Sequence, residues 1–174
     1  MSRKVKGFTL VELLVVAVVL AIFAAIVVPQ FASTTDEAKI SAVKSDLSGL
    51  RSAIDLYRQQ HGHWPGSVAA TGGTCAGGTA GTGAANSVDA LKSQLGMFTD
   101  AAGQACSIKS ATFPYGPYLG SAEIPKNALT GSNAVALVAT GNLVMTGAAA
   151  PGLGWKYDHV IGKIIIDHAD YQNF

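Results

Sequence analysis

The chain has 174 residues, 12 Lys and Arg against 11 Asp and Glu, a formal net charge of +1 and 49% hydrophobic residues. That balance leaves no basic stripe for an electrostatic nucleic-acid footprint, so nucleic acid is not an expected partner. With an N-terminal anchor set aside, the remaining length allows one soluble domain of ordinary size.

Arg3, Lys4 and Lys6 form a short basic leader that ends in Gly7. An apolar run then extends from Phe8 to Val28, with Glu12 as its one charge. About 20 apolar residues in a helix suffice to cross a bilayer, and this run is rich in the Leu, Val, Ile and Phe that favour insertion. Secretory signal peptides have apolar regions of only about 7–15 residues, followed by a small-residue cleavage site. Here Pro29-Gln30-Phe31 follows instead, so the helix is expected to stay attached to the body of the chain. Cations lie before the run, and Asp36 and Glu37 lie after it. The positive-inside bias therefore predicts a single pass, with a cytoplasmic N-terminus and the rest outside. Without the three leader cations the side chains give 9 basic against 11 acidic residues, a net of −2.

The stretch Lys6-Gly7-Phe8-Thr9-Leu10-Val11-Glu12-Leu13-Leu14 resembles the prepilin signature of type IV pilins and of the pseudopilins of type II secretion. The resemblance is strong from Met1 to about Pro65. It implies that a prepilin peptidase cuts between Gly7 and Phe8 and that Phe8 is then N-methylated. It also implies that Glu12, the fifth residue of the mature chain, serves assembly, and that Pro29 marks where the helix loosens as subunits join a filament. The implied setting is a bacterial inner membrane with a periplasmic C-terminal domain, the subunit being extracted into a periplasmic or surface filament. Implied partners are other copies through the N-terminal helix, the peptidase, other pseudopilins, an inner-membrane assembly platform and membrane lipid.

Past the run, Ile40, Val43, Leu47, Leu50, Ile54 and Tyr57 recur at helical spacing and mark one apolar face. Gly62 and Pro65 end the pattern. A helix from Phe8 to His61 would be roughly 80 Å long at about 1.5 Å per residue. Pro29 frees the carbonyl of Ala25 and predicts a kink near residues 25–29. Residues 66–86 are rich in Gly, Thr and Ala and carry no charge, which predicts a long surface loop. Cys75 lies in it and Cys106 beyond it. Both fall on the exported side, where a disulfide can form; two separate thiols remain the alternative on sequence alone.

Ser87 is positioned to cap a short helix with Val88, Leu91 and Leu95 on one face, stopped by Gly96. Residues 97–133 read as irregular around Pro114, Pro117 and Pro125. Within them, Gly116-Pro117-Tyr118-Leu119 and Ile124-Pro125-Lys126-Asn127 resemble a segment of the type II secretion major pseudopilin, although Asn127-Ala128 stands where that family has Asp-Pro. Two hairpins are predicted at the end. The first joins residues 135–139 to 143–145 across Gly141-Asn142, and the second joins residues 155–157 to 163–166.

The expected fold is α+β, a pilin-like roll in which a long N-terminal helix packs on a small antiparallel sheet. Its parts would be a cleaved leader (1–7), a transmembrane and assembly helix (8–28), the soluble half of the helix (29–62) and a periplasmic domain (63–174), with loop 66–86 and sheet 134–168. His61 and His63 lack the spacing of a zinc array. Asp158, Asp167 and Asp170 are too scattered for a compact calcium loop, so no cofactor is expected, with calcium the one open candidate. No nucleophile–base signature is present, and no enzymatic activity is expected. The resemblance implies a structural subunit of a type II secretion-type pseudopilus that drives protein export. The alternatives are a type IV pilus subunit for adhesion, motility or DNA uptake and, third, an uncleaved anchored periplasmic binding domain.

Overall fold

A computed structural model of the chain describes residues 7–121, 123–149 and 152–174, with the side chains of residues 27–34 also outside the description. Leader residues Arg3, Lys4 and Lys6 therefore lie outside the described residues, and so does the Pro29 side chain with its expected kink. The chain divides into two compact units, Met1–Lys39 and Ile40–Phe174.

Helix α1 runs Leu10–His61. In the first unit its described apolar side chains are all exposed, from Leu10 at 83% to Ile26 at 57%. So long an apolar surface is unfavourable in water and calls for a membrane or a protein partner. Among the described residues no helix is long and apolar enough to cross a membrane; the expected run continues into residues 27 and 28, whose side chains lie outside the description.

In the second unit the stripe read from the sequence is the core-facing one. Val43, Leu47, Leu50, Ile54 and Tyr57 are buried together with Leu91, Leu95, Ile124, Val135, Trp155, Tyr157, Ile164 and Ile166. Each large side chain so buried contributes roughly 1.5–3 kcal/mol. Helix α2 spans Val88–Gly96, and the hydroxyl of Ser87 caps it by accepting from the Ala90 N–H at 3.1 Å. Its Leu91 and Leu95 face the same core. The α+β arrangement, with its long N-terminal helix, fits a pilin-like fold.

Two small sheets complete the unit. Strands β1 (Phe98–Thr99) and β2 (Ala105–Cys106) pair antiparallel within the stretch expected to be irregular. At two residues each they are too short for any period to register. The second sheet has the order β3-β4-β5, from β3 (Val135–Val138), β4 (Trp155–Asp158) and β5 (Lys163–Ile166). β4 and β5 form the expected antiparallel hairpin, with Trp155 opposite Ile166. Trp155 Nε1–H donates to the carbonyl of Pro125 at 2.9 Å, which ties the 116–127 segment to β4.

The hairpin expected over 135–145 does not form, and the sheet is mixed rather than purely antiparallel. β3 pairs parallel with β4, Val135 opposite Trp155, and residues 143–145 form no strand. The cause is the carboxylate of Asp158. Its Oδ2 accepts from the Thr140 N–H at 3.0 Å, the Thr140 hydroxyl at 2.6 Å and the Gly141 N–H at 2.9 Å. The backbone that a tight turn would use is thereby tied to the end of β4. The chain leaves β3 on a long crossover, the connection that a parallel pair requires.

Candidate functional site

The N-terminal constellation is built on the start of α1. Gly7 and Phe8 precede the helix, and Phe8 is 76% exposed. Thr9 stands at the N-cap and Glu12 three residues on, and the two exchange hydrogen bonds. Thr9 Oγ1 accepts from the Glu12 N–H at 3.3 Å, while Glu12 Oε2 accepts from the Thr9 N–H and from the Thr9 hydroxyl, each at 3.0 Å. This is a capping box, in which side chains satisfy backbone donors that a helix start leaves unpaired. It holds the Glu12 carboxylate beside the first turn, close in sequence to Phe8. The Thr9-x-x-Glu12 spacing carries that signal in the sequence.

Cys75 and Cys106 are joined, with 5.4 Å between their Cα atoms and a sequence separation of 31. The bridge lies where loop and sheet already meet. The Ala105 N–H donates to Ala70 O at 2.9 Å, the Gly81 N–H to Ala105 O at 2.7 Å, and the Ala70 N–H to Gly83 O at 3.0 Å. The loop is therefore strapped to β2 rather than free on the surface. Gly83 has φ +104°, and a Cβ there would sit 2.1 Å from the Ala90 nitrogen, so only glycine admits this approach to α2.

His61 is part of an aromatic cluster, stacked on Tyr57 with ring centroids 4.1 Å apart. Its Nε2 lies 2.8 Å from the Tyr118 hydroxyl and 3.0 Å from that of Thr99, and Tyr118 donates to Gln60 Oε1 at 2.6 Å. Burial lowers the pKa of both His61 and His63 and raises that of Tyr118. The cluster is thus uncharged at neutral pH and joins the end of α1 to the 116–119 segment. Among the described residues no three His, Cys, Asp or Glu are placed to hold a metal ion.

Asp158 and Asp167 are occupied by protein donors, whereas Asp170 is exposed, its carboxylate 3.8 Å from His168 Nδ1. Asp167 accepts from the N–H groups of Ala148 and Leu153, each at 3.0 Å. Asp158 is fully buried and adds the Val160 N–H on Oδ1 at 2.9 Å to its three bonds on Oδ2. Burial opposes its ionisation, but hydrogen bonds from Thr140, Val160 and Gly141 win and hold the carboxyl below its ordinary 3.8. No local pattern reveals the tie to Thr140 and Gly141, because those donors lie 18 and 17 residues upstream. Asp158→Asn keeps one accepting oxygen and turns an amide N–H₂ on the remaining donors. It is expected to lower stability by about 1–3 kcal/mol. The sign follows from the depressed pKa. The difference from wild type is whole above about pH 4 and narrows as acid protonates Asp158 in the folded state. Denaturant titrations of both proteins between pH 7 and pH 3 check this, and an unchanged midpoint at pH 7 would refute it.

Residues 2–28 match the family model described as a prokaryotic N-terminal methylation motif. The chain is 43% identical over 63 residues to the type II secretion system core protein G of Pseudomonas aeruginosa, covering 36% of this chain and 44% of that protein. It is 36% identical over 64 residues to the core protein G of Escherichia coli, covering 37% and 44%. It is also 36% identical over 72 residues to a fimbrial protein of Neisseria meningitidis, covering 41% and 42%. The chain spans less than half the length of each of these relatives. No solved structure matches it.

Proposed function

We propose, on the support that the methylation motif and the secretion and fimbrial relatives give to the pseudopilin and type IV pilin family, that this chain is a structural subunit of a type II secretion-type pseudopilus. In this reading the subunit is held in the inner membrane by residues 8–28, cut by a prepilin peptidase between Gly7 and Phe8, and methylated at Phe8. It then polymerises through α1, with other pseudopilins and an assembly platform, to drive protein export. The observation that carries the reading is the joint presence of the motif over residues 2–28 and a helix start whose apolar side chains stand uncovered. The relatives bear the names of secretion and fimbrial proteins, not of enzymes.

Intact-mass measurement on protein extracted from membranes of a host with an active prepilin peptidase tests it. Loss of Met1–Gly7 with one added methyl group is expected, and a retained leader would reject the reading. The fimbrial relative carries a second reading, a type IV pilus subunit. Neighbouring genes for a secretin and further pseudopilins, without a retraction ATPase, would favour the first.

A further inference from the structure

The soluble unit leaves two unlike surfaces open, one on each side of the buried stripe of α1. On one side, Leu143 and Val144 stand side by side at 74% and 75% exposure. They are held firmly. The Lys163 ammonium donates to Leu143 O at 2.5 Å, and the Val144 N–H donates to Asn142 Oδ1 at 2.9 Å. Lys163 and Arg51 border this ridge, with Lys44 over the Phe174 ring one step along the same flank. Within the unit these cations meet only uncharged or backbone partners among the described residues: Arg51 donates to Phe174 O at 2.6 Å and to Ile164 O at 3.4 Å, and Lys163 to Leu143 O, so each keeps further N–H donors for an acidic surface.

On the other side lies a groove of about 300 Å³ lined by Asp46, Gly49, Leu119, Glu123 and Pro125. Its two charges are both acidic. At about 100° per residue, Asp46 and Gly49 fall on the flank of α1 away from Lys44 and Arg51. Gly49 is exposed in the helix interior, and a Cβ built there meets nothing within 4 Å. Glycine weakens a helix relative to alanine, and no neighbour in the folded unit excludes a side chain at this position. The space it leaves suits the outside of the molecule.

We propose that a second copy of this chain fills that groove: the Leu143–Val144 ridge of one subunit docks over Gly49 of the next, with its Lys163 and Arg51 facing Asp46 and Glu123. Ridge and groove have opposite charge, and each offers apolar surface to the other. Because the two halves occupy different faces of one chain, the contact is heterologous. It leaves a free ridge and a free groove at the ends of any row of subunits, so it propagates rather than closing as a twofold dimer does. This inference rests on the filament reading above and names the contact between soluble units that would accompany packing of the N-terminal helices.

Filament yield of the full chain in a host carrying its assembly apparatus is the readout. Gly49→Leu fills the groove from an exposed site with no neighbour to displace. It is expected to raise the melting temperature of the detergent-extracted subunit slightly, because leucine replaces a helix-weakening glycine, while cutting filament yield about tenfold, about 1.4 kcal/mol of association. Glu123→Lys and Lys163→Glu should each reduce assembly, and the double variant should recover it. Gly49→Cys with Val144→Cys should give subunit ladders with a short bismaleimide, which leaves the native disulfide untouched. If wild type assembles while Gly49→Leu assembles equally well and no ladders appear, the docking proposal fails alone. If wild type itself builds no filament, the filament reading fails and takes the docking contact with it.

Discussion

Glu12→Gln is expected to preserve the start of α1 and abolish filament assembly. The capping box makes this the informative substitution. Glu12 accepts the Thr9 N–H through Oε2, and glutamine can accept that bond as well as glutamate. What glutamine lacks is the charge. In the proposed filament the charge has a partner, the Phe8 ammonium created by cleavage, supplied by an adjacent subunit in surroundings from which water is excluded. A carboxylate in an apolar segment needs such a partner, and pairing at one axial stagger would set the register of the subunits. Glu12→Val removes both the cap and the charge and should also abolish assembly. Glu12→Asp, shorter by one methylene, should fall between wild type and these. Processing at Gly7–Phe8 and the melting of the soluble unit should be unchanged in all three. If Glu12→Gln subunits build filaments at wild-type levels, the carboxylate serves the helix start and the pairing is wrong.

How far the sequence reveals this molecule depends on how local each cause is. The buried stripe of α1 repeats every three or four residues, so its face can be read directly, from Val43 to Tyr57. Helix α2 announces itself through Ser87 at its cap and Gly96 at its end. The β4–β5 hairpin is likewise local, a turn between two runs of apolar and aromatic residues. The failed hairpin has a distant cause. Gly141-Asn142 is a sound turn signal by itself, and it loses because Asp158 offers Thr140 and Gly141 a buried carboxylate. Composition predicts a long surface loop over residues 66–86. It cannot reveal that Gly81 and Gly83 let the loop lie directly on β2 and α2. At the candidate site, Gly7, Phe8 and Glu12 are legible as a motif, whereas the Thr9–Glu12 exchange depends on where the helix starts.

The same loop carries the second large effect. Replacing the bridge in a Cys75→Ser, Cys106→Ser double variant is expected to destabilise the soluble unit by about 3–4 kcal/mol. This follows from loop-closure entropy, since a cross-link spanning 31 residues removes many conformations from the unfolded chain. For a unit of this size it corresponds to a drop of about 10 °C in melting temperature. The folded architecture should survive, because β2 keeps its backbone bonds to Ala70 and Gly81 and the main core lies in a separate cluster of side chains. Hydrogen exchange should then accelerate most around residues 76–80, where among the described residues Gly78 to Cys75, Ser107 with Thr79 and the Ala80 bridge to Cys106 hold the backbone. Exchange in β4 and β5 should rise only as far as the global loss of stability requires. Thermal unfolding of wild type with and without reductant gives an independent measure, and the reduced protein should match the double variant. A double variant that melts with wild type would mean that the backbone straps alone hold the loop in both states and that the bridge adds nothing to stability.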